Sequence, residues 1–105
     1  MAKARLPLKV LVLDVLKPHQ PSIVKLGSSM CEEESLDSVN ITVYAVDEKT
    51  ESVKMILEGE NLNFEKIMEV IEKNGAAVHS MDKVILGRLP AIDQVAVKSK
   101  LKFST

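Results

Sequence analysis

The chain reads as an α+β sandwich with element order β-α-β-β-α-β, and three observations carry that prediction. Leu8–Gln20 is a nearly unbroken aliphatic run holding one acid and closed by proline, as expected of a central strand covered on at least one face. Two later stretches, beginning at Ile23 and Phe64, repeat apolar residues at helical spacing. Between them, Val39–Asp47 and Ser52–Gly59 alternate apolar and polar residues around a short polar turn, which is the pattern of a hairpin.

In the first strand, Leu11, Leu13 and Val15 share one face and Val10, Val12, Asp14 and Leu16 the other. The wholly apolar row must meet the helices, because burying an unpaired carboxylate costs roughly several kcal/mol. Pro18 stops the strand and Pro21 takes the first helical position. Ile23, Leu26, Gly27, Met30 and Cys31 then form one stripe, which makes Cys31 a buried, inert thiol and lets Gly27 approach a strand closely. Glu32–Glu34 end that helix. In the hairpin, Val39, Ile41, Val43 and Ala45 point inward with Val53, Met55 and Leu57; Asn40, Thr42, Tyr44, Val46, Lys54, Ile56 and Glu58 point outward.

Asn63 caps the second helix, with Leu62 and Ile67 placed as a hydrophobic staple. Phe64, Ile67, Met68 and Ile71 supply its apolar face, and Asn74-Gly75 closes it. Ala77–Leu86 is the last strand, with a break near Met81–Asp82. Right-handed crossovers then allow one sensible arrangement, an antiparallel sheet of order 4-1-3-2 with both helices on one face. That is the ferredoxin-like fold. Residues 1–88 make up this domain. Residues 89–105 remain as a C-terminal tail or arm, in which Val95, Val97, Leu101 and Phe103 alternate with Lys98, Lys100 and Lys102.

At 105 residues with 46% hydrophobic content the chain supports one core, and with no Trp, one Tyr and two Phe that core is aliphatic. No apolar run reaches the roughly 20 residues of a membrane span, and no signal-peptide pattern opens the chain, so a soluble cytoplasmic protein without a membrane partner is expected. A single cysteine excludes an internal disulfide and a cysteine-cluster metal site. Residues 8–87 carry 8 basic and 14 acidic side chains, whereas both ends are basic, so the tails suit either nucleic acid or a neighbouring acidic subunit. Nucleic acid is the less expected partner, because the outward face offers only Tyr44 for stacking.

The predicted topology gathers polar residues where the first strand ends. Asp14 should lie near Lys54 and His79, with Lys17 and His19 at the same edge. The candidate ligand-binding set is therefore Asp14, Lys17, His19, Lys54 and His79, and the candidate metal ligands are Asp14, His19 and His79. A structural alternative pairs Asp14 with Lys54 or His79 to hold the sheet or an interface. No spacing here enforces a known catalytic geometry. A two-cysteine metal loop, an arginine in a glycine-containing loop after strand one, and a long loop between strands two and three are all missing. These absences exclude copper-chaperone, acylphosphatase-like and nitrogen-regulator readings.

Four segments, LDVLKPH at Leu13–His19, VNIT at Val39–Thr42, AAVHSMD at Ala76–Asp82 and Gly87-Arg88, together resemble an uncharacterised archaeal family, domain of unknown function 211, over residues 6–90. The resemblance implies a ferredoxin-like fold and ring-shaped homo-oligomers in an archaeal cytoplasm, and it brings no activity with it. The polar positions it implies are Asp14, Lys17, His19, Asn40, His79 and Asp82, and the tail after Pro90 falls outside it. The expectation is a homo-oligomeric binding or scaffold protein holding a small ligand or metal ion at the polar sheet edge or between subunits, with no cofactor identified. The alternative is an enzyme whose inter-subunit site uses Asp14 with His79 or His19.

Overall fold

A computed structural model of the chain describes residues 6–88; the expected arm at 89–105 and the basic residues Lys3 and Arg5 lie outside the described residues. The elements are β1 (Leu8–Pro18), α1 (Ile23–Cys31), β2 (Ser38–Val46), β3 (Thr50–Glu58), α2 (Phe64–Lys73) and β4 (Ala77–Leu86). The sheet order is β2-β3-β1-β4 with every pair antiparallel, which is the predicted 4-1-3-2 order read from the opposite edge.

Alternation along β1 decides which face the helices cover. Leu11, Leu13 and Val15 are fully buried with Val53, Met55 and Leu57 of β3, and α1 and α2 close over them with Leu26, Met30, Ile67 and Ile71. Burial of each such side chain contributes about 1.5–3 kcal/mol before entropy is counted. Phe64 and Met68 flank this stripe half-buried, so Ile67 and Ile71 are the centre of the α2 contact.

The helix ends follow local chemistry. The Ser22 side chain accepts from the Lys25 amide, so Ser22 caps α1 and Pro21 stands outside the helix instead of at its first position. Asn63 caps α2 by accepting from the Lys66 amide at 3.1 Å, with Leu62 and Ile67 buried as the predicted staple. Gly75 takes the left-handed conformation (φ 79°) that ends α2. Cys31 is exposed, contrary to expectation. It lies one residue, about 100° of helical turn, beyond Met30 and so leaves the covered stripe.

Bulges change the facing in two strands. In β2 the pairing jumps from Val43↔Val53 to Ala45↔Ser52, so Tyr44 is an inserted residue. Ala45 therefore pairs on the open side and Val46 opposite Glu51, the reverse of the simple alternation. In β4 the pairing with β1 skips Asp82 and then His79.

Ile67→Asp should abolish the cooperative thermal transition seen by circular dichroism, since it places a carboxylate at a fully buried site. The glycines should behave oppositely to each other. A Cβ on Gly59 would overlap the Ser35 carbonyl oxygen and come within 2.7 Å of Leu62 Cδ2, so Gly59→Ala lowers stability by about 1–3 kcal/mol. A Cβ on Gly27 would sit 3.6 Å from Ile41 Cδ1, an ordinary contact, so Gly27→Ala raises stability by up to about 1 kcal/mol. Chemical denaturation measures both.

Candidate functional site

The helix-free face of the sheet carries a polar patch running across all four strands. The register aligns Thr42, Lys54, Asp14 and Ser80 in one row from β2 to β4. The three inserted residues of the bulges, Tyr44, Asp82 and His79, lie next to that row. Tyr44 donates its hydroxyl to the Asp14 carboxylate, with oxygen separations of 2.7 and 2.6 Å. Lys54 Nζ reaches over β1 to Asp82 Oδ2 at 2.7 Å, and Ser80 Oγ donates to Asp82 Oδ1 at 2.7 Å.

The charges tune one another. The Asp82 carboxyl is held below its ordinary range first by the Lys54 ammonium and then by the Ser80 hydroxyl, with a smaller contribution from nearby His79. Asp82 in turn raises Lys54, and Asp14 and Tyr44 add to that effect. The Asp14 carboxylate pushes the Tyr44 hydroxyl above its ordinary value, so the phenol is held protonated as a donor. The patch thus offers a charged lysine, two carboxylates, a phenol and an exposed imidazole on one surface.

A second cluster occupies the other face, where β1 ends against the β2–β3 turn. Lys17 continues the inward row of β1 and is only 1% exposed. A buried ammonium is costly unless every donor is used. Here Nζ donates to Glu51 Oε1 at 2.8 Å, to the Pro18 carbonyl at 2.7 Å and to the His19 carbonyl at 3.4 Å. Glu51 stands directly across the ladder from Lys17, and its second oxygen meets His19 Nδ1 at 3.0 Å. His19 Nε2 lies 3.0 Å from the Glu48 carbonyl. Both ring nitrogens therefore face acceptors, which favours the imidazolium, and the His19 pKa is raised chiefly by Glu51. Glu51 is lowered, first by His19 and then by Lys17.

The five expected ligand residues thus divide. Asp14 and Lys54 face each other across the ladder with His79 at the neighbouring bulge, as expected, but Asp14 bonds Tyr44 and Lys54 bonds Asp82. Lys17 and His19 belong to the second cluster and are tied up by Glu51. Among the described residues, no three His, Cys, Asp or Glu side chains converge as a metal-binding set. Reading the sequence missed Glu51, assigned to the turn although it is the second residue of β3, opposite Lys17. It also took Tyr44 for an ordinary outward residue, since a bulge leaves no trace in an alternating pattern.

Comparison with known proteins gives the chain a family. Residues 9–101 match the DUF211 family, described as uncharacterised ArCR. The chain belongs to this family. An uncharacterised protein of Methanocaldococcus jannaschii is 46% identical to the chain over 78 residues, covering 74% of the chain and 80% of that relative. The DUF211 match runs past Pro90, where the sequence resemblance was expected to end, and so takes in most of the basic C-terminal segment. None of the described helices is long and apolar enough to cross a membrane.

The His19–Glu51 contact has a defined pH signature in this DUF211 chain. With a folded pKa raised above its ordinary 6.5, His19 contributes stability that is complete below pH 6.5 and is lost as pH rises through the raised value. With a pKa lowered from 4.5, Glu51 contributes stability that is complete above pH 4.5 and is lost as pH falls through the lowered value. Thermal melts should show this pair contributing fully between those limits, and His19→Gln should remove the part of the alkaline decline due to it. Identical Tm–pH curves for His19→Gln and the parent would refute the assignment.

Proposed function

We propose that the protein is a homo-oligomeric binding or scaffold module whose open sheet face is covered by another copy. The observation that carries this reading is the make-up of that face. Around the polar patch it leaves Leu16 and Tyr44 exposed and Val12 and Ile56 only half-buried, and both described helices pack on the opposite face. An apolar surface of this kind, rimmed by polar groups, is the physical signature of an association site. Paired groups at the centre fit the same use, because Lys54–Asp82 and Tyr44–Asp14 already satisfy one another and can be approached without leaving a bare charge.

A small polar ligand suits the same interface, held where Asp14, Lys54 and His79 meet the covering copy. A metal ion there would need donors from both copies. The Lys17–Glu51–His19 cluster supports the sheet end and its turn, and its groups are committed to each other.

Light scattering coupled to size exclusion tests the assembly. At micromolar concentration the protein should elute at a multiple of its 11.6 kDa chain mass. Leu16→Glu, which adds a charge at an exposed position, should leave the far-ultraviolet spectrum unchanged and shift the mass towards one chain. A parent protein that elutes as a monomer overturns the reading.

A further inference from the structure

Among the described residues the sheet has two edges without a further strand, and they differ. β4 carries inserted residues at His79 and Asp82, and such irregularities spoil the ladder a new strand would need. β2 pairs without interruption from Ser38 to Val43, so its outer side presents a regular row of backbone donors and acceptors. Beside this edge, α1 overhangs the sheet. Ile23, Val24, Gly27 and Cys31 of α1 and Val39 and Ile41 of β2 line a shallow apolar groove of about 500 Å³. Val24, 74% exposed, has no cover there.

The chain has a sequence suited to that place. In residues 95–103 one alternate row is Val95, Val97, Ser99, Leu101 and Phe103, and the other is Ala96, Lys98, Lys100 and Lys102. As an added strand it would turn the first row towards the groove and the lysines towards the open side. Residues 6–88 carry nine basic against fourteen acidic side chains, so a three-lysine segment meets a surface of opposite net charge.

We propose that residues 95–103 of one copy add as a strand to the β2 edge of a second copy, seating Val95, Val97, Leu101 and Phe103 in the groove between α1 and β2. This rests on the self-association proposed above and names the segment that joins the copies. A second copy is the better donor because β4, where the segment originates, lies at the far edge. Passing β1, β3 and β2 within one chain requires about 19 Å of lateral travel, at roughly 4.8 Å per strand. From Arg88 to Val95 the fully stretched chain spans about 23–25 Å, which leaves only about 4–6 Å for rounding the sheet end.

The native Cys31 lines the groove and serves as the reporter. Single cysteines are placed in the full-length chain at Val95, Val97, Leu101 and Phe103 in turn, with Ala96→Cys and Lys98→Cys as controls from the other row. Mild oxidation should give a disulfide to Cys31 at one or more of the first four positions, running at twice the chain mass or more on a non-reducing gel. The controls should yield at least about fivefold less. Equal yields in both rows, or crosslinks only within single chains, overturn the proposal. So does a Leu101→Asp variant that keeps the parent's oligomeric mass and the parent's hydrogen-exchange protection over Val39–Val43. In that case the open-face reading stands and the arm is excluded. A monomeric parent removes both.

Discussion

The facing of β1 is the constraint on which the rest of the molecule depends. As the central strand, β1 pairs with both β3 and β4, so the side it turns to the helices is imposed on both neighbours. A slip of one residue would put Asp14 beneath α1 and α2 and turn three core residues to solvent, an exchange no local repacking could compensate. Two independent features oppose that slip. One is the apolar row Leu11, Leu13 and Val15. The other is Lys17, the next member of the row, whose buried ammonium finds a carboxylate only when Glu51 stands opposite. An apolar row tolerates a shift of two residues far better than a buried charge does, so the ion pair specifies register as well as face.

The same cluster explains how the β2–β3 turn is anchored. Asp47 and Thr50 close it with one backbone bond, and His19 reaches across from the loop after β1 to the Glu48 carbonyl. The path from Lys17 through Glu51 and His19 to the turn is continuous. Each member uses donors or acceptors that would otherwise be unmet, and this is why a lysine can end a core row without destabilising it.

Much of this was legible in the sequence, and the reasons for the failures are specific. Where a strand pairs regularly, alternation read correctly: β1, β3 and the first half of β2 face as expected, and the capping residue and staple of α2 were found from their spacing. Reading failed past the inserted Tyr44, whereas the break expected near Met81–Asp82 is the bulge at Asp82. Past Tyr44 every side chain changes face, so Ala45 and Val46 exchange roles. His79 and Asp82 are displaced in the same way. The sequence pointed to a polar edge around Asp14 and to a break near Asp82, yet it could not show the bulges at Tyr44 and His79 that bring those side chains beside it. Lys17 was misplaced for a different reason. A lysine three residues from Asp14 was grouped with the polar edge, and only the position of Glu51 across the ladder shows that it is core.

The composition of the open face limits what can cover it. A wholly apolar partner would strip water from Lys54, Asp82 and Asp14 and return no hydrogen bond, and such a loss outweighs the gain from burying Leu16 and Ile56. A strongly charged partner would compete with the internal pairs, since Lys54 and Asp82 each hold the other in its ionised form. What remains is a surface with mixed donors and acceptors at its centre and aliphatic side chains around them. The face itself has that composition, so a second copy matches it without requiring any new kind of contact. The bulges set the direction of those central groups, and in the proposed assembly they would therefore determine the orientations in which two such faces meet.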